Sequence, residues 1–560
     1  MMQLSLVNGT LQNEAIFFDN QQVYDVRRSG VVPGEGIDNT EALRNALTQA
    51  AALGLPVKLP EGVIEYSPAT VNDMLITTTS IIGSGKSTVL RCTNENGNRS
   101  LILINGSNIT ISNFSFESSF LTGNRPENNT AFKVEPPVGS ETVWENIEFS
   151  NLWFKNFSGG NILLKHVAKS RVYNIYSHTS GADIVHVTGN SKDITVDSVY
   201  SVMAGDDTVA VIGYTAGNVQ GQPQNIKISN VTVVDSWHGR GVTVVGGKNV
   251  QITDVLVDGC DGAGILISSE AGTYNTFGNS NILISNATLI RAGKGGASGA
   301  LHVLGRAGYI TENIQIQNVK IISSNWRGLS LSGTIYAKNI SVENLEVDGT
   351  PSSQGILINS TNTRLKNITV ANTAGIGIAY EPAVSGYLEI DGLYGRNVNL
   401  ASESGTGLLL NIANNASSPL TRLSLDNMHL VEQSVGAARE TFQIPSNLAP
   451  KTKFGSNLTT VVPGPTDLGY ESFNLGLPFY NINLTTITTS PWIYQNTSGY
   501  EQWVYLRAGT LSDIEISHNG TDFYSVGSAK RNIALKNGYS IRVTFSVKPT
   551  EIKIKPVSLI

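Results

Sequence analysis

An all-β fold built on a right-handed parallel β-helix is what the sequence predicts, and two observations support it. The 560-residue chain contains 56 glycines and only 15% charged residues, a composition typical of strands and turns rather than of helices. A motif of the form Asn-Ile-x-Ile-x-Asn also recurs through the central region, for instance at Asn108–Asn113, Asn225–Asn230 and Asn313–Asn318. Short alternating strands cannot bury a face alone, so such repeats stack as successive coils of a solenoid.

Each repeat contains a second strand, which follows the motif and starts at a glycine. Examples are Gly241–Val245, Gly264–Ile267 and Gly328–Leu331. Coils that stack in this way lie about 4.8 Å apart. The recurring asparagines are therefore expected to form an internal ladder, in which side-chain amides pair from one coil to the next.

Residues 1–62 depart from the repeat and are predicted to form an N-terminal segment with a capping helix. Asp38-Asn39-Thr40 is a helix start signal, an amphipathic stretch follows it, and Gly54 is a stop signal. A helix in this place would cover the open apolar end of the solenoid, which otherwise exposes unpaired strand edges.

The rest of the chain divides into three predicted regions. The parallel β-helix, which carries the active site, is predicted for residues 63–430, and an irregular linker region for residues 431–486. Residues 487–560 contain short alternating strands separated by turns such as Asn519-Gly520. That pattern predicts a small C-terminal antiparallel β-sandwich.

Charge and cysteine content exclude several classes of function. The net charge is −6, so we expect no nucleic-acid partner, because such a surface needs an excess of basic residues. The two cysteines, Cys92 and Cys260, are too few for a disulfide framework or a four-cysteine zinc site, and both are expected to be buried thiols. No stretch of about 18 apolar residues occurs, so no membrane insertion is expected. We also expect neither a cofactor nor a metal ion.

The strongest candidate for chemistry is the adjacent acid pair Asp206 and Asp207. When the coils are aligned on the second strand, Asp183 lies on the coil before Asp207, and the coil after it places Gly241 opposite Asp207 and Arg240 beside Asp206. Acids this close cannot all be ionised without cost, so one pKa should be raised. A protonated carboxyl beside an ionised one is what glycoside hydrolysis requires. The alternative is a solvated acidic surface with an Asp206–Arg240 ion pair.

Further candidates lie on the loops near these acids. Glu270 follows the strand of a later coil and is a reserve catalytic acid, and His238 lies just upstream of Arg240. Aromatic faces suit the C–H surfaces of sugars and arginine suits acidic sugars, although each such residue is individually more often structural. The predicted substrate-binding residues are Tyr214, Trp237, Arg240, Tyr274, His302, Arg306, Trp326 and Arg327.

Three segments resemble the motifs N-T-D-G, D-D and G-H-G of polygalacturonase-type glycoside hydrolases, which lie on a parallel β-helix: His178–Asp183, Gly205–Asp207 and His238-Gly239. The resemblance implies that Asp183, Asp206 and Asp207 are the acid/base set and that His238 positions substrate or tunes a proton. The family's R-I-K motif, which binds the uronate carboxylate, falls on Leu266–Ser268, where no basic residue occurs. The resemblance therefore does not imply a pectin enzyme.

Over about residues 20–430 the chain resembles phage tailspike depolymerases more closely. The opening from Asp25 to Gly62 and the run Arg240–Asn249 carry this resemblance. It implies a homotrimer on the phage tail or baseplate that cleaves a bacterial capsule or O-antigen outside the host cell. The N-terminus, Met1–Ser5, has no basic segment followed by an apolar run, so we expect no signal peptide and delivery by the virion.

Three functions are compatible with the sequence. The favoured one is endo-acting hydrolysis of a bacterial surface polysaccharide. A polysaccharide lyase on the same scaffold is the second, with Arg240, His238 and Tyr214 as the groups that neutralise a carboxylate or act as base. The third is a non-catalytic carbohydrate-binding adhesin, against which the clustered acids argue.

Overall fold

Nearly all of the regular secondary structure in the described chain is β-strand. In a computed structural model, the described residues run from 23 to 556, with gaps at 69–73, 95–101, 119–129, 138–141, 218–219, 273, 295–296, 382–385, 399–407, 413–419, 421, 432–439, 444–451, 455–457, 463–470, 474–479, 482–486, 488, 497–501, 529–531 and 537. The α-helix found in this part is α1 (Thr40–Leu53), which follows a single 3-10 turn at Val26–Ser29. No helix among the described residues is long and apolar enough to cross a membrane.

The largest element is one sheet of 33 strands whose pairings are parallel up to its last strand. Its strands up to the coil of the predicted acids are β1 (Tyr24–Asp25), β2 (Val57–Lys58), β3 (Gly62–Tyr66), β4 (Leu75–Thr77), β5 (Ile81–Ile82), β6 (Thr88–Cys92), β7 (Ile102–Ile104), β8 (Ile109–Ser118), β9 (Phe132–Val134), β10 (Trp144–Glu145), β11 (Ile147–Phe157), β12 (Ile162–Lys165), β13 (Val167–Ser180), β14 (Val185–Thr188), β15 (Lys192–Ala204) and β16 (Val209–Ile212). It continues with β17 (Gln224–Ser236), β18 (Val242–Val245), β19 (Lys248–Cys260), β20 (Ile265–Ser268), β21 (Ser280–Ile290), β22 (Leu301–Leu304), β23 (Thr311–Ile322), β24 (Leu329–Thr350), β25 (Ile356–Thr373), β26 (Ile378–Tyr380), β27 (Tyr387–Arg396), β28 (Leu408–Ile412), β29 (Arg422–Val431), β30 (Glu440–Gln443), β31 (Thr452–Phe454), β32 (Leu458–Val462) and β33 (Glu471–Phe473).

Each central coil consists of a short strand followed by a long one. The short strands β12, β14, β16, β18, β20 and β22 pair in that order, and so do the long strands β11, β13, β15, β17, β19, β21 and β23. Alternate apolar side chains of both kinds, such as Val185, Val187 and Ile194, are buried in one continuous core. The stacking therefore buries faces that no single coil could cover.

The recurrent asparagines form a ladder, but on the outside of the coils and not inside them as the sequence suggested. Both asparagines of the motif have the left-handed backbone conformation, for instance Asn281 (φ 59°) and Asn286 (φ 55°). Asparagine tolerates this conformation better than most residues, and it turns the chain at two corners of each coil. The side chains then point outward and pair along exposed columns, as when Asn281 Nδ2 donates to Asn249 Oδ1 at 2.9 Å.

The N-terminal capping helix is present where the sequence predicts it. Helix α1 packs Leu43, Leu47 and Ala50 into the core beside the first strands. It ends at Gly54, whose left-handed conformation lets its backbone N–H reach the carbonyls of the last turn. The N-cap residue Asn39 makes no capping hydrogen bond, and its amide donates instead to the carbonyls of Val32, Ile37 and Glu65.

Parallel pairing continues past residue 430. Strand β30 pairs with β28, and β31 and β32 pair with β29, before β33 adds an antiparallel strand. The predicted breaker Pro463-Gly464-Pro465 lies outside the described residues. The predicted limits of the domains, including the linker at 431–486, stay a prediction, although this pairing favours a β-helix that reaches residue 462.

The C-terminal region is the predicted antiparallel β-sandwich. Its strands are β34 (Tyr480–Asn481), β35 (Trp492–Gln495), β36 (Gln502–Arg507), β37 (Thr510–Ser517), β38 (Phe523–Ser525), β39 (Asn532–Leu535), β40 (Ser540–Val547) and β41 (Glu551–Pro556). Two four-stranded sheets, β34-β41-β36-β39 and β35-β40-β37-β38, enclose a separate apolar core that includes Val504, Ile514 and Val543. Both cysteines, Cys92 and Cys260, are buried free thiols, as predicted.

Candidate active site

The short strands form one face of the β-helix, and their alternate residues face away from the core. Strand register aligns these residues across neighbouring coils. We call this set the outward row: His186, Ala210, Thr243, Leu266, His302 and Ser330. Most of the row is buried although it faces outward, so neighbouring loops must cover it.

A second aligned set lies two residues before each short strand. We call it the pre-strand column: Asp183, Asp207, Arg240, Ala263, Gly299, Arg327 and Gln354. Coil spacing places successive members about 4.8 Å apart. The column therefore carries acids at one end, cations further along, and two residues without a long side chain between them.

The structure brings the three predicted acids together. The backbone N–H of Asp207 donates to Asp183 Oδ1 at 3.0 Å, across adjacent coils. One carboxylate oxygen each from Asp183, Asp206 and Asp207 lies within 4.8 Å of the others. We call these three residues the acidic cluster.

Arg240 contacts both members of the Asp206–Asp207 pair, but in a different register from the predicted one. Its backbone N–H donates to Asp207 Oδ1 at 3.1 Å, and its Nη1 lies 3.5 Å from Asp207 Oδ1 and 3.8 Å from Asp206 Oδ1. Hydrogen bonds from Thr208 to the carbonyls of Arg240 and Gly241 show that Arg240, not Gly241, stacks on Asp207. The sequence alignment was wrong by one residue because Thr208 occupies the place where later coils have the guiding glycine.

Asp207 is the most buried acid of the cluster. It is only 3% exposed, and this burial raises the pKa of its carboxyl well above the usual range. The positive charge of Arg240 opposes this rise, while the negative charges of Asp206 and Asp183 add to it. Asp207 and Asp206 in turn raise the pKa of Arg240, so that guanidinium stays charged.

His186 belongs to the site although it is not among the residues predicted from the sequence. Its Nδ1 lies 2.6 Å from Asp183 Oδ2, so the imidazole holds the carboxylate that also accepts the Asp207 N–H. Its Nε2 is buried and has no hydrogen-bond partner among the described atoms. A histidine between Val185 and Val187 resembles a packed core residue. Its outward-facing alternate position on β14, three residues after Asp183, was the available signal.

A close backbone approach explains how the acids come so near one another. Gly239 lies directly against Asp206, and a Cβ at position 239 would meet the backbone of Asp206 at 2.1 to 2.4 Å. Gly205 packs in the same way on Gly181, one coil earlier. Any larger residue at Gly239 would push the Arg240 coil away from the acids.

Two loops, which follow the short strands β16 and β20, contact each other at the end of these strands opposite the acids. Tyr214 forms a β-bridge with Thr276, and Phe277 N–H donates to the carbonyl of Gly213 at 2.8 Å. Burial raises the pKa of the Tyr214 phenol, and the charges of Asp183 and then Glu270 add to the rise. Tyr214 and Glu270 therefore lie within electrostatic reach of the acidic cluster, and the Tyr274 ring is 6.4 Å from that of Tyr214.

Trp237 and His238 lie at the surface. Trp237 is 54% exposed, and its ring is 5.8 Å from the imidazole of His238, which is also exposed. Among the residues that the structure describes, the His238 side chain makes no hydrogen bond to any of the three acids. The structure thus does not bring His238 into the acidic cluster, and its predicted role stays a prediction.

The remaining predicted residues form a second group further along the same face. His302 lies in the outward row three coils beyond Asp207, and burial together with Arg327 and Arg306 lowers its pKa to about 4. The guanidinium carbon of Arg327 lies 3.7 Å from the ring centroid of Trp326, and its Nε donates to Gln354 Oε1 at 3.0 Å. We call His302, Arg306 and Arg327 the basic cluster.

The acidic cluster could also attract a cation. Arg240 already places a positive charge beside two of the three acids, which disfavours a second cation there. The absence of a metal requirement stays a prediction.

No protein-family model matches the chain. Among curated proteins, the tail spike protein of Escherichia virus K5 is 33% identical over 141 residues, which are 24% of this chain. The chain resembles a phage tail spike. The matched segment spans about a fifth of that tail spike's length (21%), so the likeness concerns one segment and not the whole protein.

Solved structures confirm the predicted parallel β-helix. The Agl-KA catalytic domain has a TM-score of 0.54 at 18% identity and covers 74% of this chain and 68% of its own. The catalytic unit of the thermostable GH87 α-1,3-glucanase from Streptomyces thermodiastaticus strain HF3-3 has a TM-score of 0.50 at 17% identity. The match covers 78% of this chain and 71% of the glucanase unit. A GH87 α-1,3-glucanase catalytic domain in complex with nigerose has a TM-score of 0.50 at 18% identity, covering 71% and 68%. At such identities the likeness is one of fold.

Proposed function

We propose that this chain is a tail-spike enzyme that binds and depolymerises a bacterial surface polysaccharide, a capsule or an O-antigen, by endo-glycosidic hydrolysis. The observation that carries the proposal is the acidic cluster, in which a buried acid of raised pKa lies beside two further carboxyls and Arg240. The segment similar to a tail spike supports action outside the host cell, on the virion tail. Attachment to the phage tail or baseplate and assembly as a homotrimer belong to the same proposal.

The cluster offers an acid and a base at the same pH. We assign the acid to the Asp206–Asp207 pair, with the proton resident on Asp207, and the base to Asp183. The pair gives its proton to the leaving glycosidic oxygen as the bond to the anomeric carbon breaks. Asp183 takes a proton from the water whose oxygen bonds to that carbon, so one water is consumed and both new sugar ends are complete.

The contacts around Asp183 support its role as base. His186 and the Asp207 N–H each hold one of its two oxygens, which fixes the direction of the carboxylate. Arg240 lies next to Asp207 and Asp206 and stabilises the negative charge that the pair acquires after it gives up the proton. Trp237 and Tyr274, which are 54% and 56% exposed, offer aromatic faces to sugar rings on either side.

Elimination by a lyase is the second candidate, and the chemistry of its candidate bases argues against it. A lyase needs a base that is unprotonated at working pH. The raised pKa of Tyr214 keeps its phenol protonated, and the raised pKa of Arg240 keeps its guanidinium charged. Only His238 remains of the three, and it lies outside the acidic cluster.

The proposal is tested with purified capsules and O-antigens from a panel of bacteria. Wild-type protein should shorten one of them, and fragments formed in oxygen-18 water should carry the label at the new reducing end. D206N and D207N should each lower the rate about 10²- to 10⁴-fold, the usual contribution of a general acid, without loss of polysaccharide binding. D235N, which removes an exposed acid at the turn before Trp237, is the matched control and should keep full activity.

Three outcomes would contradict parts of the proposal. Full activity in both D206N and D207N would remove the site assignment. Unlabelled fragments with the ultraviolet absorbance of unsaturated ends would establish a lyase. Tight binding to a polysaccharide whose size stays constant over long incubation would establish an adhesin.

A further inference from the structure

The two arginines of the basic cluster, Arg306 and Arg327, have no counter-ion within hydrogen-bonding distance in the part of the chain that the structure describes. Among the described residues, neither Arg306 nor Arg327 forms an ion pair, whereas most other arginines on the coils pair with a neighbouring carboxylate. Arg327 is half-buried, and burial lowers the pKa of its guanidinium, with only Glu381 acting in the opposite direction. A partly desolvated cation without a counter-ion costs free energy, and such sites occur where a ligand supplies the missing negative charge.

His302 adds a second, independent sign of a missing ligand. The side chain is 8% exposed, yet among the described residues its imidazole makes no hydrogen bond. Ser330 lies beside it in the outward row, and its buried Oγ also has no partner. Buried polar groups are normally hydrogen-bonded, so the unpartnered Ser330 hydroxyl, beside a histidine ring that also makes no hydrogen bond, indicates a donor that lacks its acceptor.

The pre-strand column carries only short side chains between the acidic and basic clusters. Ala263 and Gly299 separate Arg240 from Arg327, so no long side chain of the pre-strand column lies between the acidic and basic clusters. Four coils, about 19 Å, separate Asp207 from Arg327, well beyond the reach of an ion pair between them. Trp326, stacked on the Arg327 guanidinium, fixes the direction of that cation and adds an aromatic face.

We infer that the basic cluster is a distal subsite for an anionic substituent on a sugar, held by Arg327, Arg306, His302 and Ser330. The substituent is a carboxylate, phosphate or sulfate, all of which accept several N–H and O–H hydrogen bonds at once. The inference rests on the proposed function and deepens it: the polysaccharide is acidic, and its charge is recognised several sugar units from the bond that breaks.

The test is a binding titration of the full chain with four monosaccharides: glucuronate, glucose 6-phosphate, glucose 6-sulfate and glucose. Tryptophan fluorescence is the readout, because Trp326 contacts the Arg327 side chain. We expect at least one anion to bind, and R327Q to weaken that anion at least about tenfold, since a hydrogen bond to a charged group is lost. R306Q, a change on an exposed loop, provides a second variant whose folding is less at risk.

The comparison among the three anions identifies the substituent, and R171Q, an exposed arginine of a distant strand, is the matched control that should bind as wild type. Equal binding of glucose, or anion binding unaffected by both R327Q and R306Q, would overturn the subsite. This result is separable from the proposed function. If R327Q loses anion binding but the wild type depolymerises no polysaccharide, the subsite stands and the proposed hydrolase is wrong. If D207N abolishes depolymerisation but R327Q binds the anion as well as wild type does, the hydrolase stands and the subsite is wrong.

Discussion

The coil that carries Asp207 and the coil that carries Arg327 have the same backbone plan and hold opposite charges. Each places its charged residue two positions before a short strand, and each has a histidine of the outward row nearby, His186 or His302. At the acidic end the histidine is engaged by Asp183, whereas at the basic end it has no partner among the described residues. The charged groups of the acidic end therefore contact one another, whereas those of the basic end are left to contact a ligand.

This difference indicates that the charged groups of the face acquire their properties from the residues stacked on neighbouring coils, and not from the sequence of a single strand. Side chains at one column position are about 4.8 Å apart, so a substitution on one coil changes the electrostatics of its neighbours. Burial, and then the nearby charges of Asp206 and Asp183, raise the pKa of Asp207, whereas burial beside Arg327 and Arg306 lowers the pKa of His302. The two ends should therefore respond to substitution and pH in opposite directions.

Removing Arg240 should give the largest effect. In R240Q the acids lose their cation, so the pKa of Asp207 rises further and the alkaline limb of the pH–kcat profile moves to higher pH. The rate itself should fall about 10²- to 10³-fold, because the charge that forms on the acid pair is no longer stabilised. R240K, which keeps a positive charge, should recover part of the rate. A pH profile unchanged in R240Q would contradict this account of the acidic end.

Replacing His302 should alter acid stability. Because the folded pKa is about 4 and the unfolded value about 6.5, the unfolded state binds a proton first as the pH falls. The stability that the neutral ring provides is present above pH 6.5 and is lost on the way down through pH 4, by about 3 kcal/mol. Urea unfolding at pH 7 and pH 4 should show that H302Q escapes this loss.

The control for this measurement is H238Q, whose exposed ring should leave the acid loss of the wild type unchanged. If wild type and H302Q lose the same unfolding free energy between pH 7 and pH 4, the basic end carries no buried neutral histidine, and the contrast with the acidic end is wrong.

The smallest effect should come from the asparagine ladder, which runs past both clusters. Asn225 lies near the acidic end and Asn313 near the basic end, with φ of 56° and 57°. N225A and N313A should each cost about 1–2 kcal/mol of unfolding free energy, since alanine is strained in this conformation, while N225G and N313G should cost less. If N225A and N313A lower the unfolding free energy equally, the two ends share one backbone, and their different chemistry comes from side chains alone. If alanine and glycine cost the same at either position, the explanation from backbone strain is wrong.

The repeat made much of the fold predictable, and the failures have specific causes. Asp183 and Asp207 were placed on adjacent coils because both precede an apolar strand at the same distance. Arg240 was misplaced by one residue because Thr208 stands where later coils have glycine. The ladder was placed inside because asparagine pairing is visible in a periodic sequence, whereas the left-handed corner that turns the amide outward is not.

The site was less predictable than the fold because part of it is not periodic. The bridge between Tyr214 and Thr276 joins loops of different coils, and no spacing in the sequence encodes it. His186 has the sequence surroundings of a core residue, and only the face of its strand distinguishes it. The catalytic roles of the acids, His238 and Glu270 stay predictions until they are measured.

The asparagine ladder has a further consequence for how this molecule can change. Its hydrogen bonds join residues 24 apart between Asn225 and Asn249 but 32 apart between Asn249 and Asn281, so coils of unequal length remain aligned at these corners. The extra residues collect in loops beside the short strands, such as 269–279. Aligned corners of this kind let one scaffold gain or lose loops beside the short strands without a shift in strand register, so these loops can change in length while the stacked coils stay the same.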